Sequence, residues 1–249
     1  MSLKSLDLQS RRFLPDDGYA GTLVARVWRP DVQGPSVVAL REHGVFDITA
    51  DFPTMSTLLE QPDPARAARG ATGVSLGSLE DILGNSDESR RDACKPFFLA
   101  PCDLQVVKAA GVTFATSLVE GLIEEQADGD PAKAQEVRAR VVAQIGTDLS
   151  KLKPGSEPAM ALKKLLQEQG LWSQYLEVGI GPDAEGFSMA PVLSSVGTGA
   201  EIGIRSDSSW NNPEPEVVLA VSSRGRIVGA ALGNDVNLRD FEGRSALLL

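Results

Sequence analysis

The chain reads as an α+β protein, with a small β-rich N-terminal region over residues 1–98 followed by a larger mixed region over 99–249. Three observations predict this. Near the start, the apolar runs GTLVARVWRP and PSVVALREHGVFDIT lie either side of the turn Val32-Gln33-Gly34, a strand–turn–strand pattern. In the middle, two segments carry apolar residues at helical spacing between helix start and stop signals. Near the end, two runs rich in Val, Leu, Ile and Ala flank the polar turn Ser223-Arg224-Gly225-Arg226, which reads as a β-hairpin.

In the first region, Val37, Val38, Leu40 and Val45 predict a strand leading into a tight turn at Gly44, and Ser78 to Leu83 a short helix. The polar stretch GNSDESRRDACKP, closed by Pro96, suits a linker. The next segment opens on an apolar run at Phe97 and moves into a helix after Ala115. Two firmer helices follow. DPAKAQEVRARVVAQIGTDL places Pro131 in the first turn after Asp130, where the missing N–H costs nothing. SEPAMALKKLLQEQG offers Ser156 as cap and Gly170 as terminator. From Leu171 to Ile204, Gly and Pro punctuate short apolar runs, which predicts irregular strands. The glycines of GTGAEIGI and of EVGIGPD lack the spacing and the lysine of a phosphate loop and read as turn residues.

Composition narrows the function. With 24 basic and 34 acidic residues the net charge is −10, which argues against nucleic acid or an anionic membrane as partner. No apolar run reaches the roughly 20 residues of a membrane span, and the first residues lack a signal-peptide core, so a cytoplasmic setting is expected. Cys94 and Cys102 suit a reducing compartment. His43 is the only histidine, so any Ser-His-Asp or Cys-His machinery has to use it; in its turn context it reads as a surface residue. Carboxylate chemistry is favoured over histidine chemistry.

The final hairpin carries the acids that matter. Glu214 and Glu216, two apart in a strand, share a face. If Arg224-Gly225 is a two-residue loop, Ser223 pairs with Arg226, and counting outward sets Asp235 opposite Glu214. Opposed side chains have Cβ atoms roughly 5 Å apart. Three like charges so close repel, and one has to protonate unless a cation compensates. A hard divalent ion with oxygen ligands is the economical answer, Mg²⁺ before Ca²⁺ or Mn²⁺. A solvated, merely decorative strand face is the other reading that spacing leaves open.

Several segments carry a resemblance. DLQVVKAAGVTFATSLVE, LWSQYLEVGIGPDAEGF, SSWNNPEPEVVLAV and GNDVNLRDFEGRSALLL are similar to the fumarylacetoacetate hydrolase superfamily, and within it to the bacterial 2-keto-3-deoxypentonate dehydratases, the 2-keto-3-deoxyxylonate enzymes especially. The resemblance is dense from Leu99 onward. It implies a small N-terminal domain (1–98) and a mixed β-roll catalytic domain (99–249), often dimeric, with Mg²⁺ on Glu214, Glu216 and Asp235. Hydrolytic members show Asn-Tyr-x-x-His-x-x-Glu where this chain has Thr113, Phe114, Ser117 and Glu120. Ser117 replaces the histidine that activates water there, and a serine is no general base unaided.

The resemblance therefore implies dehydration of a 2-keto-3-deoxy sugar acid to 2-oxoglutarate semialdehyde, through an enolate that the metal stabilises. Glu120 is the expected proton-transfer residue; Thr113, Phe114 and Ser117 are expected to line the substrate pocket. Met189 stands where members often have lysine. Related proteins continue past Leu249 with strands that close the roll and a substrate-facing lysine, so the chain is expected to be C-terminally truncated. The alternatives are a carbon–carbon hydrolase of the acylpyruvate type and an inactive truncated member.

Overall fold

In the computed structural model, which describes residues 6–110, 115–145, 152–168, 170–172, 174–182, 186–242 and 244, the chain forms two units. The first comprises Met1–Val106, Ala190–Gly203 and Val218–Ala231; the second comprises Val107–Met189, Ile204–Val217 and Leu232–Leu249. Among the described residues no helix is long and apolar enough to cross a membrane.

The first unit is built on strands β1 (Leu23–Arg29), β2 (Gly34–Arg41), β3 (Gly44–Asp47), β4 (Val74–Gly77) and β5 (Phe97–Leu99), with helices α1 (Met55–Leu59), α2 (Pro64–Gly70) and α3 (Leu79–Gly84) between them. The sheet order is β4-β3-β2-β1-β5, with all four pairings antiparallel. Val37-Val38-Ala39-Leu40 is apolar at every position because both faces of β2 are covered. Val38 packs with Val27, Val45 and Phe98 against Ile82 and Leu83 of α3. Its neighbours Val37 and Ala39 point the other way, onto Met55 and Leu58 of α1 and Ala68 of α2. The helix starts are set by side-chain caps, Thr54 on the Thr57 N–H, Asp63 on that of Arg66 and Ser78 on that of Asp81.

Asp103 ties the unit together. Its buried carboxylate accepts from the N–H groups of Met55 (2.6 Å), Ser56 (3.1 Å) and Leu104 (2.7 Å) and from the Ser56 hydroxyl (2.6 Å). Arg26, also buried, faces it at 3.7 Å. Residues 84–96, expected as a linker, form a packed loop instead. Asn85 Nδ2 donates to the carbonyls of Asp92, Lys95 and Pro96, and Ser86 and Asp87 are buried. His43 lies exposed in the β2–β3 turn, and both cysteines are free thiols.

The second unit contains β6 (Val107–Ala110), helices α4 (Ala115–Ala127), α5 (Pro131–Ile145), α6 (Glu157–Glu168) and α7 (Gln174–Ile180), and strand β7 (Gly186–Ala190), which pairs with β6. Strands β8 (Asn211–Asn212), β9 (Pro215–Val221), β10 (Ile227–Asn234) and β11 (Asn237–Leu238) and the short α8 (Arg239–Glu242) follow. Leu122, Ile123 and Ala127 of α4 pack with Ala134 and Val137 of α5, Leu166 of α6 and Leu176 of α7. Gly170 closes α6 with φ +68°, as Leu171 N–H reaches back to Leu166 O at 2.9 Å.

Residues 174–180 form helix α7 rather than the expected irregular strand. Leu176 and Ile180, four apart, are both buried, and Glu177 between them takes a bond from Trp172 Nε1 at 3.1 Å and pairs with Lys163 at 2.5 Å. Tertiary contacts here override the local glycine punctuation.

The corner between α4 and α5 needs its glycine. Gly129 has φ +68°, its N–H caps α4 on Glu124 O at 3.1 Å, and an added Cβ there would lie 2.6 Å from Asp240 O. The end of α4 is thereby seated against α8.

Candidate metal centre

Pro215, directly after Glu214, biases its backbone toward the extended region. A residue before proline is driven from the helical region, and Pro215 opens β9, where a missing N–H is tolerated. The Glu214 N–H donates to Asn234 Oδ1 at 2.9 Å, and the Asp235 N–H donates to Glu214 O at 2.9 Å. Asp235 is therefore set beside Glu214 at the base of the β9–β10 hairpin.

The turn of that hairpin differs from the two-residue loop assumed from sequence. Gly225 N–H donates to Ser222 O and Ser222 N–H to Arg226 O, both at 2.9 Å, and Gly225 has φ +71°. The loop is the three residues Ser223-Arg224-Gly225, with Ser222 facing Arg226. The bond between Glu214 and Asp235 lies one residue out of step with that register. The departure lies at the base of the hairpin, where Asn234 Oδ1 takes the Glu214 N–H and the next residue, Asp235, donates to Glu214 O.

Glu214, Glu216 and Asp235 each offer an oxygen within 4.8 Å of the others. Glu214 and Asp235 are half-buried and Glu216 is exposed. Burial raises the pKa of all three. Glu214 is pushed up from 4.5 to about 7, by burial first and then by repulsion from Glu242, Asp235 and Glu216. Glu242 itself is raised by burial, with Arg239 opposing.

Two donors hold Glu214. Asn237 Nδ2 and Arg239 Nη2, the latter at 3.1 Å, both donate to Oε1. Arg239 Nε donates to Asn212 Oδ1 at 2.7 Å, and Nη1 pairs with the carboxylate of Glu124. β11 supplies the geometry, since Asn237 lies opposite Asn212 of β8. Asp240 secures the next step of chain, accepting from Ser208 Oγ (2.8 Å) and Ser209 N (2.7 Å).

These residues fit a hard divalent cation. The donor set is all oxygen, burial and then mutual repulsion raise Glu214 toward neutrality, and a bound cation would offset both. Asn237 Oδ1 is buried without a hydrogen-bond partner, a further oxygen acceptor on the side chain that holds Glu214.

Glu120 lies on α4, where Arg138 of α5 takes both its oxygens, with Nε on Oε1 at 3.2 Å and Nη2 on Oε2. It is not among the three acids brought together. Ser117 sits in the first turns of α4, and its side chain lies outside what the structure describes, as do Thr113 and Phe114 altogether. Met189 is half-buried in β7. The reading from sequence missed Glu124, Asn237, Arg239 and Glu242.

The chain is similar to sugar-acid dehydratases. It shares 31% identity over 216 residues with the probable 2-keto-3-deoxyxylonate dehydratase of Haloferax volcanii, covering 86% of this chain and 57% of that protein. Over 63 residues it is 44% identical to the 2-dehydro-3-deoxy-D-arabinonate dehydratase of Saccharolobus solfataricus, covering 25% of this chain and 21% of that protein. The matched chain thus spans little more than half the length of the first dehydratase. No family model and no solved structure matches.

Proposed function

We propose that this protein dehydrates a 2-keto-3-deoxy sugar acid, a pentonate, to 2-oxoglutarate semialdehyde with the help of Mg²⁺. One observation carries the reading: three carboxylates within 4.8 Å, in a chain alike over most of its length to a named dehydratase of such acids. The reading brings with it a β-roll of the fumarylacetoacetate hydrolase type, a homodimer and a cytoplasmic setting, which rest on the resemblance of the quoted segments.

Glu214, Glu216 and Asp235 would hold the cation, which when bound polarises the 2-keto group as a Lewis acid, with Mn²⁺ or Ca²⁺ as substitutes. Glu214 would have to be ionised to serve as a ligand, and burial first, then repulsion from Glu242, Asp235 and Glu216, favours its proton. Its Oε1 accepts from Arg239 and Asn237, which orient the carboxylate. Dehydration removes a proton from C3 and the hydroxyl from C4, which leave together as one water; the resulting 5-hydroxy-3-enoate then tautomerises to the semialdehyde, C5 and its hydroxyl each losing a hydrogen while C3 and C4 each gain one. We assign proton transfer to Glu120, which Arg138 keeps oriented through two nitrogens, and substrate contact to Thr113, Phe114 and Ser117.

The test is direct. Incubation with 2-keto-3-deoxypentonates and Mg²⁺ yields the semialdehyde, and Glu216→Gln loses both Mg²⁺ affinity and turnover. Retention of both in Glu216→Gln sinks the metal assignment. Cleavage of an acylpyruvate with no dehydration establishes the hydrolase instead.

A further inference from the structure

Glu124 is the deepest charged group near the acids, with only 2% of its side chain exposed. A carboxylate buried that far is strongly disfavoured without a cation beside it. Its cation is Arg239, itself 21% exposed, whose guanidinium spans from Glu124 to Glu214 and Asn212. We propose that Glu124 and Arg239 act as a positioning pair, fixing the carboxylate of Glu214 in the orientation a divalent cation requires. The inference rests on the metal reading above and goes beyond it in naming residues that touch neither the cation nor the substrate.

Three features support it. First, the guanidinium is a planar fork, and each of its three nitrogens has a different partner, so it cannot turn toward one without losing another. Burial of Glu124 makes the first of those partners compulsory. Second, the pair is electrically balanced. A lone arginine against Glu214 would cancel part of the charge that draws a cation, whereas Glu124 offsets it. Glu214 thus gains a fixed donor while the three acids keep their pull. Third, the backbone is built for the approach. The close seating of Gly129 against Asp240 O brings the end of α4, and Glu124 with it, against the start of α8, where Arg239 stands.

The experiment is a Mn²⁺ titration of the full 249-residue chain, with free Mn²⁺ read by electron paramagnetic resonance and Mg²⁺ added as competitor. Glu124→Gln keeps the shape but leaves the Arg239 charge uncompensated, and Mn²⁺ affinity is expected to fall roughly ten- to a hundredfold. Arg239→Lys keeps the charge but loses the fork, and is expected to fall by a similar factor with no rescue. The double variant is expected to be no weaker than the weaker single one, since each residue acts through the other. Affinity within twofold of the parent in folded Glu124→Gln overturns the pairing role while leaving the metal site intact. Should Glu124→Gln fail to fold, parent-like affinity in Arg239→Lys overturns it equally. If the parent chain itself binds no Mn²⁺, the metal reading falls and this proposal with it.

Discussion

Replacing Glu214 with glutamine removes a pH dependence from the metal-free protein. In the folded chain the carboxyl of Glu214 titrates at about 7 rather than 4.5, because burial and the charges of Glu242, Asp235 and Glu216 oppose its ionisation. The folded state therefore binds its proton more tightly than the unfolded state does. Stability from this group is present in full below pH 4.5 and is lost as pH rises toward 7, where the folded protein must also ionise. At about 1.4 kcal/mol for each tenfold change in proton affinity, the full difference is roughly 3 kcal/mol. Glu214 keeps 34% of its side chain exposed, and solvent screening cuts the expected loss to about 2 kcal/mol. Glutamine cannot ionise, so the variant loses no stability on this account. Urea unfolding in EDTA between pH 4.5 and 8.5 measures it, followed by tryptophan fluorescence, since Trp172 and Trp210 both pack on the core of the second unit. The stability of the variant relative to the parent is expected to rise by about 2 kcal/mol across that range. Parallel pH curves for the two proteins would refute the raised proton affinity that burial and repulsion are argued to give Glu214.

Three further outcomes are expected. Because the proton on Glu214 must leave before an ion binds, Mg²⁺ or Mn²⁺ raises the melting temperature more at pH 8 than at pH 5.5; an equal rise at both argues against ligation by this carboxylate. Asp103→Ala leaves the start of α1 without its acceptor and buried Arg26 without its carboxylate, and is expected to cost about 3 kcal/mol, measured by denaturant unfolding, with a loss under 1 kcal/mol counting against the clamp. Glu120→Gln is expected to lower kcat for dehydration about a hundredfold while Mn²⁺ affinity stays at the parent value, and a selective loss of Mn²⁺ binding instead would place Glu120 with the metal rather than with the proton.

Much of this protein follows from local chemistry alone. The strands of the first unit were legible because alternation and β-branching act over a few residues, and an apolar run without alternation already says that both faces are covered. The helices α5 and α6 announced their starts through Pro131 and Ser156, and Gly170 its stop, since caps are local hydrogen-bonding events. The shared face of Glu214 and Glu216 needed only the two-residue period of a strand.

The placement of Asp235 was reached by a count whose premise was wrong. The turn has three residues, and the Asp235 N–H still reaches Glu214 O one residue out of step with it; the loop length is not encoded by residues at the site. The helix α7 depends on Leu176 and Ile180 finding a core that other segments build. Tertiary structure alone decided the rest of the candidate centre. Glu124 looks from sequence like any acid on a solvated helix, beside Glu125 and one turn after Glu120. Only the fold buries it, and burial in a low dielectric makes a partner cation compulsory. Arg239 meets that demand from a distant part of the chain and reaches Glu214 with the same guanidinium. Residue type and spacing determined which acids could share a face. The dielectric around them, which turns proximity into a raised pKa and an ion pair into a fixed orientation, belongs to the folded chain.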